Sequence, residues 1–380
     1  MLLLRSLGFA LLLATSLSAA DLNPLLETIL TVDQQGKGHK AAVAALKELE
    51  QQPAAALPTI LAAFDKSNPV SENWLRGAVE TIFDRALKTK QEIPRDQLEA
   101  FVLDSTHSAH ARRLAYEWLL KSDPGLADRL IPKMLNDPSV EFRRDAVQRL
   151  IDQGKKEQTA MKKEEAIRLY EQAFAAARDP DQMDALFDTL KELGKPVNLQ
   201  RQLGLITKWH IIGPFDHRKG IGFDKVYPPE TEIDLKKTYP GLMGDVAWVQ
   251  KESTDKHGVL NIATLFAPHK GAVMYATQTF NADKDRDVEI RLGTPNGWKL
   301  WVNGKLVFAH EEYHRSMRLD QFQVRTHLHA GPNQILLKVC QNEQTEDWAQ
   351  RYQFQLRVCD LTGGAILPTT AVSFLAQERN

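Results

Sequence analysis

Residues 298–308 read WKLWVNGKLVF, and the dipeptide at their centre decides what surrounds it. Asn303-Gly304 stands between two alternating apolar runs. A two-residue type I′ turn needs positive φ at both central positions, which Asn tolerates and Gly adopts freely, so the stretch predicts a tight β-hairpin. Side chains alternate across a strand, so Trp298, Leu300 and Val302 share one face, expected to be core. Trp301 falls on the opposite face, across the hairpin from Leu306. That face is also expected to carry Phe308 and to be covered by a loop or by the helical half of the chain.

Outward from the hairpin the same period of two recurs. TKWHIIGPF, AVMYATQTF, DVEIRLG, FQVRTHL, NQILLKVCQN and YQFQLRVCDL are short runs rich in Val, Ile, Phe, Trp and Tyr, separated by turn residues such as Ala330-Gly331-Pro332-Asn333. About nine or ten strands with no helix between them predict an antiparallel β-sandwich or jelly roll over residues 205–364, with residues 365–380 as a tail. Ile335, Leu337 and Val339, and likewise Phe354, Leu356 and Val358, are expected to face its core.

Upstream of about residue 205 the period changes. AAVAALKELE, NWLRGAVETIFDRAL, ARRLAYEWLLK, FRRDAVQRLID and MDALFDTLKELG place apolar residues at i, i+3, i+4 and i+7, and prolines punctuate them. A repeat runs through this part: a turn, a short gap, then a helix with a small residue expected to be buried, Ala78, Ala115, Ala146 and Ala185, spaced by 37, 31 and 39 residues. Helix pairs of this kind bury their apolar faces by stacking, so residues 21–204 predict an α-solenoid of helix pairs. The fold class is therefore multidomain α and β. LIPKMLNDPSVEFRRDAVQRL resembles a HEAT repeat, with Asp137-Pro138 at the turn and Arg143 or Arg144 and Ala146 in the second helix, while the last unit also looks tetratricopeptide-like. Arginines at such positions are expected to tie one repeat to the next.

The run WKLWVNGKLVF…LDQFQVRTHLHAGPNQILLKVCQN resembles the galactose-binding-like jelly roll that serves as the sugar-binding domain of family-2 glycosidases, over roughly residues 270–362. The resemblance implies a fold and a carbohydrate-binding role. In those enzymes the catalytic carboxylates lie in a separate barrel, which has no counterpart here, so it implies no glycosidase activity. Fold alone does not carry function.

Two stretches carry candidate chemistry. His310-Glu311-Glu312-Tyr313-His314 spells H-E-x-x-H. On a helix that spacing aims both imidazoles at one metal with the glutamate beside them. Here the motif follows a strand, six residues after a hairpin turn, and the third ligand is missing: Met317 and Asp320 stand where an extended motif would need Gly and His. We therefore expect no metal, no cofactor and no catalysis from His310, Glu311 and His314, with zinc-dependent hydrolysis as a remote alternative. His217 is the further histidine considered as an incidental ligand. The other candidates are aromatic rings edged by polar groups, the combination that suits the C–H face and hydroxyl rim of a sugar. They are Tyr313, Trp348 and Trp301, with His310, Glu312 and Arg315 as neighbours. Tyr313 and Trp348 are expected in loops.

With a formal charge of -1 the chain has no cationic excess to neutralise phosphates, so a nucleic-acid partner is not expected. Arg5, the apolar run Leu7 to Leu17, and Ser18-Ala19-Ala20 before Asp21 read as a signal peptide cleaved after Ala20, giving an exported, secreted or periplasmic protein with no membrane segment afterwards. An uncleaved anchor is the alternative, though the run is shorter than the ~20 residues a span needs. Export would permit a disulfide between Cys340 and Cys359. A hairpin pairing would instead place Cys340 opposite roughly Gln353, which leaves them as two small apolar residues. The expected function is a non-catalytic binding protein, its sandwich contacting glycan or cell-envelope material and its solenoid a protein partner, or else a protein-interaction scaffold with no sugar site.

Overall fold

The computed structural model describes residues 19–266 and 270–369. The expected signal peptide lies outside the described residues except for Ala19-Ala20, and so does the tail beyond residue 369. A helical region, residues 22–203, is followed by antiparallel sheets over residues 208–359. The chain parts into two compact units, one ending at Arg149 and one beginning at Leu150.

The first unit contains helices α1 (Ala19–Leu30), α2 (His39–Leu49), α3 (Leu57–Ala62), α4 (Pro69–Thr89), α5 (Arg95–Leu103), α6 (Ala109–Ser122) and α7 (Leu126–Leu130), and the start of α8 (Val140–Thr159). The turn signals of the repeat become helix caps. Asn68 Oδ1 accepts from the backbone N–H of Val70 (2.8 Å) and Ser71 (3.0 Å), and Ser71 Oγ accepts from the Asn68 N–H (3.0 Å), so donors left open at the start of α4 are satisfied. Ala78, Ala115 and Ala146 are buried among Leu75, Phe83, Leu119 and Phe142. Arg112 ties neighbouring turns together: it is 1% exposed, donates to the Val102 carbonyl (2.8 Å) and grips the Asp137 carboxylate with both terminal nitrogens. A planar guanidinium suits that two-point grip.

The fourth alanine departs from the pattern. In α10 (Pro180–Glu192) Ala185 is exposed, and Met183, Leu186 and Leu190 are buried instead. The change of period near residue 205 is also not where the compact units part. Helices α9 (Lys163–Ala176), α10 and α11 (Leu199–Leu203) belong to the second unit with the sheets. Asp184 bonds His257 Nε2 (2.8 Å), the Leu203 carbonyl accepts from Arg357 Nη1 (3.0 Å), and the Ile206 N–H donates to the Leu356 carbonyl (2.9 Å). These contacts outweigh the sequence-local change from helix to strand.

The strands are β1 (Lys208–Asp216), β2 (Thr238–Gly241), β3 (Gly244–Ala247), β4 (Val249–Glu252), β5 (Leu260–Asn261), β6 (Ala272–Ala282), β7 (Arg286–Gly293), β8 (Gly297–Val302), β9 (Lys305–His310), β10 (Phe322–Leu328), β11 (Gly331–Gln341) and β12 (Gln353–Cys359). They form a six-stranded sheet, β4-β1-β6-β11-β8-β9, a four-stranded sheet, β10-β7-β12-β5, and the small pair β2-β3. The chain passes between the two larger sheets from β6 to β7, β7 to β8, β9 to β10, β10 to β11 and β11 to β12, the alternation of a jelly roll. The turn at Asn303-Gly304 has φ of 53° and 77°, as a type I′ turn requires. Trp298, Leu300, Val302, Ile335, Leu337 and Val339 meet Ile290, Leu292, Phe354, Leu356 and Val358 between the sheets. Each such side chain contributes roughly 1.5–3 kcal/mol by leaving water.

The opposite face of the six-stranded sheet is buried as well. Trp301, Tyr275, Leu336, Ile212 and Cys340 pack against Phe223, Tyr227, Val246 and Trp248 from the segment between β1 and β4. That segment is the cover expected over Trp301. Phe308 is not under it. The pairing shifts by one residue, Leu300 opposite Phe308 but Trp301 opposite Leu306, and this bulge turns the Phe308 ring onto Trp298, with centroids 5.1 Å apart. Cys340 and Cys359 are buried free thiols on strands of different sheets. Burial pushes them up to about 12 and about 11, so both are protonated at neutral pH.

Candidate functional site

The cover over Trp301 is pinned by a buried charge. Lys338 projects from β11 into the second core, fully shielded from solvent. Its Nζ donates to the carbonyls of Phe223 (2.9 Å) and Lys225 (2.9 Å) and to Glu230 Oε1 (2.8 Å), and the Tyr275 hydroxyl donates to the same carboxylate. Three donors meet three acceptors, the condition under which a buried ammonium is tolerated. Burial pulls its pKa down against the opposing pull of Glu230.

Beside this pin lie the residues after β9. Tyr313 is half-buried. Its hydroxyl bonds Glu311 Oε1 (3.0 Å) and His217 Nε2 (2.7 Å). A phenol has one proton and the carboxylate can only accept, so Tyr313 donates to Glu311 and His217 donates through Nε2. His217 is fully buried, and its Nδ1 has no hydrogen-bond partner among the described residues. A β-carbon on Gly222 would stand 2.9 Å from that nitrogen, so the bare glycine backbone is what fits there. Burial lowers the His217 pKa from 6.5 to about 4, helped by the Lys338 charge and opposed by Asp216 and Glu343, which keeps the ring neutral at pH 7. Burial raises the Tyr313 pKa well above that of a free phenol. On the solvent side Asp216 bonds Arg218 through Nε (2.9 Å) and Nη2 (2.8 Å), and those bonds hold its carboxyl at about 2.

His314 has φ of +60°, a left-handed conformation uncommon for a residue with a side chain. Its Nε2 bonds Asn342 Oδ1 (2.7 Å), and its ring meets the edge of Trp348 with centroids 5.2 Å apart. Trp348 is 60% exposed on a short 3₁₀ turn, Asp347–Ala349. His310 Nε2 turns to Glu312 Oε2 (3.2 Å), and Glu312 accepts from Arg315 Nε (2.6 Å), a bond that lowers the glutamate's pKa.

The six aromatic and polar candidates therefore separate. Trp301 is 8% exposed and spent on the second core. Tyr313 is fastened to His217. Half-buried His310 and Glu312 form a chain of their own with exposed Arg315, and Trp348 with His314 and Asn342 forms a small aromatic and polar rim. His310 and His314 engage different partners, and residues 311–315 are not helical. The residues the sequence reading passed over are Asn342, Glu343 and the Lys338–Glu230 pair. A lysine in the middle of QILLKVCQ, an otherwise apolar strand, is the visible signal for the last. Chemically the arrangement offers hydrogen bonds and one open indole face. His217 is enclosed and neutral at pH 7.

No family model matches the chain, and no curated protein matches it. Among solved structures it is similar to a β-glucosidase from Kluyveromyces marxianus, with 10% identity over 81% of this chain and 38% of that one and a TM-score of 0.26. The same enzyme in complex with glucose gives 9% identity over 79% and 38%, with a TM-score of 0.25. The GH31 alpha-xylosidase from Xanthomonas citri gives 11% identity over 41% of this chain and 16% of that one, with a TM-score of 0.19. The chain spans well under half the length of each, and likenesses this distant say nothing of its activity.

Proposed function

We propose that the protein is an exported, non-catalytic binding protein. In this reading the sandwich is a galactose-binding-like module that contacts carbohydrate or cell-envelope material, and the helices of the first unit are a HEAT-like solenoid that holds a protein partner. The observation that carries it is the rim at Trp348: a mostly exposed indole, edged by a left-handed histidine locked to Asn342. An open aromatic face with fixed polar neighbours suits a sugar ring, and a side chain held in a sparsely populated backbone conformation is frequent at ligand sites. Export rests on the residue pattern of the first twenty positions.

Polysaccharide pull-down and glycan-array binding with the wild type and Trp348→Ala test this reading. We expect a loss of about twofold to tenfold in retention for the variant, with unchanged thermal unfolding, because an aromatic contact is worth roughly 0.5–1.5 kcal/mol. Binding that survives the substitution removes the rim as the site. A second reading, a protein-interaction scaffold with no sugar site, is favoured by the packing of Tyr313 and Trp301, which leaves Trp348 the one open ring of the three. Absence of glycan binding by the wild type, together with a partner captured by the helical region, selects it.

A further inference from the structure

A different pair of histidines carries an inference of its own. Strand β10 ends in Thr326-His327-Leu328 and is followed by His329. In a strand, residues two apart share a face. Leu328, between them, is fully buried in the sandwich core, so both imidazoles are sent outward. Asp285, in the turn before β7, completes the group: one donor atom from each of Asp285, His327 and His329 lies within 4.8 Å of the other two.

The surroundings hold these ligands as a metal site would. His327 sits opposite Asp287 in the β10–β7 register, and its Nδ1 bonds Asp287 Oδ1 at 2.9 Å. The carboxylate accepts that proton, which fixes the tautomer and leaves the Nε2 lone pair free, the carboxylate–histidine arrangement found behind metal-bound imidazoles. The backbone on either side is fastened too. Asp285 Oδ1 accepts from the Ala330 N–H (2.6 Å), leaving its second oxygen open, and the His329 N–H donates to the buried Asn333 Oδ1 (2.9 Å). Both histidines line a cleft of about 490 Å³ that also meets Arg325 and Lys305.

We propose that Asp285, His327 and His329 bind a divalent transition-metal ion of the zinc class. Two imidazoles and one carboxylate are ligands for a borderline ion, whereas calcium and magnesium prefer all-oxygen sets. Three protein ligands leave a fourth tetrahedral position for water or a ligand oxygen.

The test is calorimetric titration of the metal-stripped full chain with Zn²⁺, and separately with Ca²⁺. We expect one equivalent of Zn²⁺ to bind, a loss of more than about tenfold in His327→Ala and His329→Ala, and a loss of about tenfold in Asp287→Ala, which touches no metal but orients a ligand. The double variant His310→Ala/His314→Ala should bind as the wild type does. Asp287, His327 and His329 are exposed and His310 and His314 half-buried, and an unchanged circular dichroism melt confirms folding of each variant. The proposal is overturned by a wild type that takes up no Zn²⁺, by binding that persists without His327 and His329, by binding lost with His310 and His314, or by Ca²⁺ held as tightly as Zn²⁺.

Discussion

His310 and His314 stand four residues apart in a sequence that spells a protease motif, while His327 and His329 stand two apart in a sequence that spells nothing familiar. The structure reverses their promise. The first pair leaves the end of β9 into a non-helical turn, where His310 meets Glu312 and His314 meets Asn342. The second pair stands at the end of β10 and just beyond it, and the strand's own period brings both within reach of Asp285. A spacing has chemical meaning only through the period of the backbone that carries it: four residues close one turn of helix, and two residues return a strand to the same face.

The residues around the first pair are held by packing, and the largest expected effect tests that. Lys338→Ala removes the ammonium that pins the carbonyls of Phe223 and Lys225 and leaves Glu230 buried without its charge partner. Breaking a buried pair from one side costs about 3–5 kcal/mol. Urea unfolding of the variant should show a loss of that order. A loss below roughly 1 kcal/mol would mean that the second core is loosely held and that the segment over Trp301 is free to open.

A somewhat smaller effect is set by pH. The folded-state pKa of His217, about 4, lies below its ordinary value of 6.5, so the unfolded chain binds more protons between those two values. The stability contributed by keeping this ring neutral is complete above about pH 6.5, falls as pH drops toward 4, and is spent below that, a span on the order of 3 kcal/mol. His217→Gln keeps a donor toward Tyr313 and does not titrate. Its unfolding free energy should therefore depend on pH less steeply than the wild type's between 6.5 and 4. Parallel curves for the two proteins would place the histidine in contact with water.

How much of this was legible beforehand follows from the range of the forces involved. The Asn303-Gly304 turn, the alternation in ILLKV and FQLRV and the helical periods are local, and each appears in the structure where its residues predicted. Ala185 misled because a small residue after a turn marks a buried contact only if a neighbouring helix lies over it. Phe308 misled because one inserted residue at the bulge reverses parity. The Lys338–Glu230 pair spans 108 positions, and His217–Tyr313 spans 96, so no window along the chain could join them. T-H-L-H at the end of a predicted strand is a same-face pair legible in the sequence, whereas Asp285 joins it only through the pairing of β10 with β7.

The smallest effect discriminates most finely between a packed loop and a ligand-facing one. Tyr313→Phe keeps the ring against the second core and deletes one oxygen. His217, already buried with Nδ1 unpartnered among the described residues, then loses the acceptor of its Nε2–H as well, and Glu311 loses a donor it can replace with water. A buried donor left unsatisfied costs roughly 1–3 kcal/mol, so a loss of about 1–2 kcal/mol is expected in thermal or urea unfolding, and Tyr313→Phe combined with His217→Phe should recover part of it because both polar partners are then gone. If Tyr313→Phe is neutral and its ligand binding falls instead, the hydroxyl faces a partner molecule and not His217. The contrast between the two histidine pairs would then narrow to one of geometry alone, with both regions open for binding and only their coordination chemistry different.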